Sequence, residues 1–197
     1  MEILLLGSDT LHQKAAPVEK VDDEIRALIA DMFAVMKTRN GVGLAAPQIG
    51  RLLRLFVVTA DDGVPRVFIN PHIIFSSDEM VSREEGCLSI PGIYGDIIRP
   101  QKITAQALDE HGKKFLLEAD GLLARVIQHE NDHLDGILFI DRADEIFREQ
   151  TINKFKKRED RKKEKKAQKQ AKAERLAAKI AAKNVKKNIR AAAENAV

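Results

Sequence analysis

The chain has 197 residues, 44% of them hydrophobic, which suits one domain with a real core plus an appendage. No run approaches the roughly eighteen apolar residues of a membrane span, and Ile3-Leu4-Leu5-Leu6 lacks the length and basic flank of a signal peptide, so a cytoplasmic protein is expected. The single cysteine, Cys87, excludes an internal disulfide, and the net charge of +3 hides a division: residues 1–150 hold 16 Lys and Arg against 25 Asp and Glu, and residues 151–197 hold 17 against 5.

From the N-terminus, Met1 to Leu6 reads as a short strand or anchoring segment. Asp22 then caps a predicted helix whose apolar stripe, Ile25, Leu28, Ile29, Met32, Phe33 and Met36, is core packing that ends at Asn40-Gly41. The stretch Gly41 to Gly50 is rich in small residues but lacks the lysine and spacing of a phosphate-binding loop. It reads either as backbone that approaches a ligand closely or as a tight structural turn. Leu52 to Thr59, Arg66 to Asn70 and His72 to Ser76 read as strands of an antiparallel meander, separated by Asp61-Asp62-Gly63 and the Asn70-Pro71 step.

Residues 84–91, Glu-Glu-Gly-Cys-Leu-Ser-Ile-Pro, come next, and Pro91 to Pro100 reads as a loop because it holds two Gly and two Pro. Ile103 to Leu108 and Lys114 to Glu118 read as a hairpin around Asp109-Glu110-His111-Gly112. A helix is then signalled by Asp120 as N-cap, by Leu123, Val126, Ile127 and Leu134 at three- and four-residue spacing, and by Gly136 as the stop. Ile137 to Ile140 reads as a brief strand, with Asp141 or Asp144 as cap of the segment after it.

That helix carries His129-Glu130-Asn131-Asp132-His133. Two His four positions apart share a helix face, so both imidazoles can reach one metal ion, while Glu130 falls on the core-facing stripe, where an unpaired carboxylate is costly. The pattern also arises by chance in unrelated helices, so a third ligand decides its meaning. Cys87 is either a small buried hydrophobe or a thiolate that completes a three-ligand set and leaves a fourth position for water. His12, His72 and His111 sit in loop or strand contexts without a partner pattern.

Together, Gly41 to Gln48, Glu85 to Ser89 and His129 to His133 resemble, in order and spacing, the three signature motifs of peptide deformylase. The resemblance covers roughly residues 1–145. It implies an α+β fold with antiparallel sheets around a central metal-binding helix, and hydrolytic removal of the N-formyl group from the initiator methionine of nascent chains. It implies Cys87, His129 and His133 as ligands of one divalent ion, Fe2+ first, with Zn2+, Ni2+ or cobalt as replacements. Water would be activated by the metal and Glu130, and the oxyanion received by the Gln48 amide and the Leu88 N–H.

Gly43, Leu44, Leu88, Leu122, Val126 and His129 would line the methionine slot, with backbone of Gly43 and Gly86 near the peptide chain and Arg125 among the substrate-binding residues, and Glu85, Arg99 and Asp132 would orient the ligands or serve as structural ion pairs. Arg83 and Arg125 stand where related enzymes often carry aliphatic residues, so they either lay methylene stems along the rim or favour acidic residues beyond methionine. Asn131 replaces the usual hydrophobic residue of the His motif. A metalloprotease reading would need a ligand beyond His133, with Glu149 the nearest acid, and would leave Cys87 idle. A non-enzymatic RNA-binding protein would leave all three motifs unexplained.

Residues 146–197 lie beyond the resemblance and form a basic extension. After Thr151 it is dominated by Ala, Lys, Glu and Arg with no Gly or Pro, so helix propensity is high, and forty continuous residues would span about 60 Å. Ile146, Phe147, Ile152 and Phe155 could dock its first turns, and Leu176, Ile180, Val185 and Ile189 make a sparse stripe. It is either a solvated or disordered tail or, through its charge, an anchor on ribosomal RNA, a use that members of the family make of a C-terminal helix. Neither membrane nor DNA is an expected partner.

Overall fold

The computed structural model describes the backbone of residues 1–194, and side chains through Arg175 except at position 173. The chain divides into two compact units, Met1–Ile152 and a second that begins at Asn153.

In the first unit, α1 (Asp23–Thr38) starts where Asp22 Oδ1 accepts from the Ile25 N–H at 3.1 Å. The strands are β1 (Gly43–Ala45), β2 (Leu55–Thr59), β3 (Pro65–Ser76), β4 (Met80–Gly86), β5 (Tyr94–Pro100), β6 (Lys102–Leu108) and β7 (Lys114–Asp120). An antiparallel five-stranded sheet runs in the order β1-β2-β3-β6-β7, and β4 and β5 form a separate hairpin. Helix α2 (Gly121–Leu134) follows β7, and α3 spans Glu145–Glu194.

The period of two along β2 distributes the core. Phe56 and Val58 face one cluster with Phe68, Ile103, Ala105 and the α2 residues Ala124, Val126, Ile127 and Leu134. Leu55 and Val57 face the opposite cluster with Val67, Ile69 and the α1 residues Ile25, Leu28, Ile29, Met32 and Met36. The sheet is thus clad on both faces, with α2 on the side that the hairpin β4–β5 also approaches. Each fully buried large side chain contributes roughly 1.5–3 kcal/mol to that cladding.

Four expectations are corrected. The chain runs through Asn70-Pro71 as one strand, because Asn70 takes a left-handed φ of 50° within a register shift, and its side chain pairs with the Val18 backbone N–H and C=O at 2.8 Å each. Residues 94–100 form a strand rather than a loop, registered against β4 from Met80↔Pro100 to Gly86↔Tyr94. Residues 139–141 form a single 3-10 turn in place of a strand, with the Leu138 N–H bound by Asp141 Oδ2. Asp120 stands at the N-cap position of α2 without a capping hydrogen bond.

Other expectations hold. Met1 to Leu6 anchors without forming a strand, through Leu4 N–H to Gln48 O at 2.7 Å and Leu6 N–H to Ser89 O at 2.9 Å. Asp144 Oδ1 caps α3 at the Phe147 N–H. Gly136 stops α2 with a φ of +73°, and a Cβ there would lie 2.6 Å from the His12 carbonyl oxygen. No described helix is long and apolar enough to cross a membrane. Leu176, Ile180, Val185 and Ile189 lie outside the residues whose side chains are described.

Candidate metal centre

Helix α2 presents His129 and His133 on one face with ring centroids 5.1 Å apart. Cys87 follows the last residue of β4, and its Sγ lies 3.3 Å from His133 Nε2. Ligand atoms of the three residues all fall within 4.8 Å of one another, and all three residues are buried. His12, His72 and His111 are exposed and do not belong to this group, nor does Glu149, the nearest acid for a protease-like ligand set.

A buried ion-pair network sets the position of these ligands. Glu85, two residues before Cys87, accepts from Arg99 Nε at 2.6 Å and Nη2 at 3.0 Å, from Arg125 Nη1 at 2.7 Å, and lies 3.0 Å from His129 Nδ1. The Nδ1 contact fixes the imidazole so that Nε2 is left for a ligand. Arg99 continues to Asp132 at 2.7 Å, and Asp132 is closed off by Arg142 at 2.6 Å. The Phe139 ring stacks 6.1 Å from that of His129. Neither Arg142 nor Phe139 stands out in the sequence, because both act across the α2 terminus rather than within a motif.

Arg125 is the main surprise. It borders the cleft, yet its guanidinium is buried and donates to Val81 O at 2.6 Å and Ile97 O at 2.8 Å besides Glu85. It therefore ties both strands of the β4–β5 hairpin to α2, with its head group turned to Glu85 and the strand carbonyls. Arg83 is exposed with its own carbonyl facing Arg125.

The first motif supplies room and a donor. A Cβ on Gly43 would clash with Glu130 Oε1 and stand 2.8 Å from Glu130 Cδ, so the close approach that this glycine serves is that of the carboxylate. The chain then turns through 46–49 and buries Gln48, whose Oε1 accepts the Ala45 N–H at 2.8 Å and whose Nε2 donates to Cys87 Sγ at 3.3 Å. The Leu88 N–H has no hydrogen-bond partner among the described residues.

The two carboxylates beside the ligands differ in charge state. Burial pushes Glu85 upward, but hydrogen bonds from His129 and Arg99 outweigh it and hold the group down at about 2. Burial without such donors pushes Glu130 up to about 7, and its Oε2 has no partner. Burial lowers His133, assisted by positive charge at His129 and Arg99. His129 is pulled down by burial but raised well above its usual value by Cys87 and Glu85. A thiol flanked by two imidazoles, with a buried carboxylate oxygen left unpaired next to them, fits a single divalent cation by donor chemistry.

A cavity of about 510 Å³ opens on this group, lined among others by Gly43, Gly86, Leu88, Leu122, Val126 and Glu130, within the range for small-ligand sites. Leu44 does not line it, since its side chain is wholly buried in the cluster on the α1 face. Nothing in the structure explains Asn131, which is half-buried with its Oδ1 unpaired.

Fold and site together define a hydrolase with a metal-capable Cys-His-His centre on an α+β antiparallel scaffold. The polypeptide deformylase family profile matches residues 1–149. The peptide deformylase of Treponema pallidum is 53% identical over 155 residues, 79% of this chain and 95% of that protein. The one from Neisseria meningitidis is 48% identical over 161 residues, 81% and 96%. The crystal structure of the Ehrlichia chaffeensis enzyme in complex with actinonin superposes with a TM-score of 0.78 at 40% identity, covering 81% of this chain and 97% of that one. The chain belongs to the peptide deformylase family, metal-dependent hydrolases that remove the N-formyl group from nascent peptides.

The network has two measurable consequences. With its folded pKa of about 2 below the ordinary 4.5, Glu85 contributes stability that is complete above pH 4.5 and lost as pH falls towards 2. Thermal melts across that window should show a shallower acid limb for Glu85→Gln, by about one proton, and a lower Tm at pH 7. Arg125→Ile should leave the preference between formyl-Met-Asp and formyl-Met-Ala peptides unchanged, while denaturant unfolding reports a loss of about 3 kcal/mol from the broken buried Arg125–Glu85 pair.

Proposed function

We propose that deformylation here proceeds by attack of water on the formyl carbon, with Cys87, His129 and His133 holding the metal and Glu130 carrying the proton. A divalent cation held by these three donors supplies a Lewis acid that makes water nucleophilic near neutral pH. Fe2+ is the first candidate by family resemblance, with Zn2+ or Ni2+ as alternatives. The observation that carries the reading is the buried carboxylate of Glu130, raised to about 7 and with its Oε2 unpaired among the described residues, next to the ligand group. A base at that value takes a proton from water and releases it again to the leaving amine without a large energetic step in either direction.

Oxygen charge develops on the formyl group during attack. The Leu88 N–H, without a partner among the described residues, and the Gln48 amide, held on the neighbouring Cys87 sulfur, are the donors within reach of that point. Formate leaves, and the amine keeps the proton that Glu130 returns. The methionine side chain enters the slot between Leu122, Val126 and Leu88, with the backbone of Gly43 and Gly86 flanking the peptide. Glu85, Arg99 and Asp132 orient the ligands, and Arg125 shapes the slot with its stem while its head group holds the hairpin.

The basic tail is the natural complement. Residues 151–197 carry 17 Lys and Arg against 5 acids on a helix, α3, that extends to Glu194, a form suited to the phosphates of ribosomal RNA. Such an anchor puts the enzyme where formylated chains emerge, in the compartment of translation.

Glu130→Gln separates the catalytic role from a structural one. Formate release from a formyl-Met peptide should fall by roughly 10²–10⁴-fold with metal content retained. Because the folded pKa of about 7 exceeds 4.5, the contribution of Glu130 to stability is complete below pH 4.5 and lost as pH rises through 7, so the metal-free variant should melt higher than wild type at pH 8. Undiminished turnover in Glu130→Gln contradicts the mechanism. For the tail, deletion of residues 156–197 should abolish salt-sensitive cosedimentation with ribosomes, and unchanged cosedimentation excludes the anchor.

A further inference from the structure

Ser89 is wholly buried, two residues past Cys87, and no step of the reaction uses it. Its Oγ accepts from Gln48 Nε2 at 3.2 Å, and its backbone N–H donates to Cys87 Sγ at 3.4 Å. The Gln48 amide therefore has three fixed partners, each set by one of the first two motifs: the Ala45 N–H on Oε1 at 2.8 Å, Cys87 Sγ on Nε2 at 3.3 Å, and Ser89 Oγ on Nε2.

An amide is nearly symmetric in shape, and the terminal torsion of a glutamine is broad. Left to packing alone, Gln48 could flip and turn its carbonyl oxygen towards the sulfur, which offers no donor in the metal-bound state, or swing out of the plane in which substrate oxygen arrives. The Ala45 N–H decides which end is oxygen. The contact of Nε2 with Cys87 Sγ, at 3.3 Å to a large and weakly accepting sulfur, leaves the rotation about the last bond soft. Ser89 Oγ supplies the second fixed point on the nitrogen side. Leu88, whose N–H is the other oxygen-directed donor, lies in the chain between Cys87 and Ser89, the two residues that hold the amide nitrogen. The three-residue segment thereby couples both donors in one rigid unit.

We propose that Ser89 is the positioning residue of Gln48, holding its amide in the orientation that receives the formyl oxygen. The inference rests on Gln48 acting as an oxyanion donor. Ser89 itself touches no reacting atom, so its loss acts through the amide and disappears when the amide is removed.

The test is a double-mutant cycle on the metal-loaded full chain with a formyl-Met peptide, measuring kcat and KM for wild type, Gln48→Ala, Ser89→Ala and the double variant. Gln48→Ala should lower kcat by about 10²–10³-fold. Ser89→Ala should lower kcat by about tenfold with KM and metal content unchanged, and should have no further effect in the Gln48→Ala background. The side-chain NH2 protons of Gln48, followed by NMR in the zinc form, should exchange faster with solvent in Ser89→Ala. Ser89→Thr, which keeps the oxygen, should retain most of kcat. A Ser89→Ala enzyme with wild-type kcat, or an equal loss in both backgrounds, overturns the proposal and leaves the role of Gln48 intact. A Gln48→Ala enzyme with wild-type kcat removes the oxyanion reading and the proposal with it.

Discussion

The carboxylate of Glu85 ties together the parts that make the site. It binds Arg99 from β5, Arg125 and His129 from α2, and stands on β4 two residues before Cys87. Helix and hairpin bring together His133 and Cys87, 46 residues apart in sequence, and the buried pairs around Glu85 hold the two elements against each other. Removing one partner of such a cluster leaves an uncompensated buried charge at a cost of about 3–5 kcal/mol, so the cluster is worth more as a positional constraint than as net stability. Asp132 and Arg142 extend the same constraint to the end of α2.

Two buried glutamates within this small volume have opposite electrostatic fates. Glu85 is saturated with donors and held down at about 2, whereas Glu130 has an unpaired oxygen and is raised to about 7. Pushing the two apart in this way suits a division of labour in which Glu85 holds geometry and Glu130 has the proposed proton-carrying role. Gly43 belongs to the same arrangement, because any side chain there would occupy the space of the Glu130 carboxylate.

The readable parts of the sequence are those whose physics is local. The His pair, the apolar stripe of α1, the β6–β7 hairpin around Asp109 to Gly112 and the stop at Gly136 each follow from spacing or from one backbone preference. The hairpin β4–β5 escaped because its inward face carries Glu85 and Arg99, which inverts the usual alternation of apolar inside and polar outside. Those charges are sheltered by each other and by α2, a long-range fact that no window of residues contains. The hold of Arg125 on the hairpin was illegible for the same reason: its acceptors include carbonyls of strands roughly 30 and 40 residues upstream. The glycine-rich first motif read ambiguously as turn or ligand approach, and its meaning depended on Glu130 arriving from a helix 80-odd residues later. Ser89 lay inside a recognised motif, but its task became visible only with the Gln48 amide in place.

The central claim is that Cys87, His129 and His133 together hold one catalytic divalent ion. Metal analysis of protein purified without oxygen, combined with formate release from a formyl-Met peptide, addresses it directly. One ion per chain and turnover that chelation abolishes are expected in the wild type, and loss of both ion and turnover in Cys87→Ala. Full turnover by the metal-free protein, or a Cys87→Ala protein that keeps its ion and its activity, would contradict it.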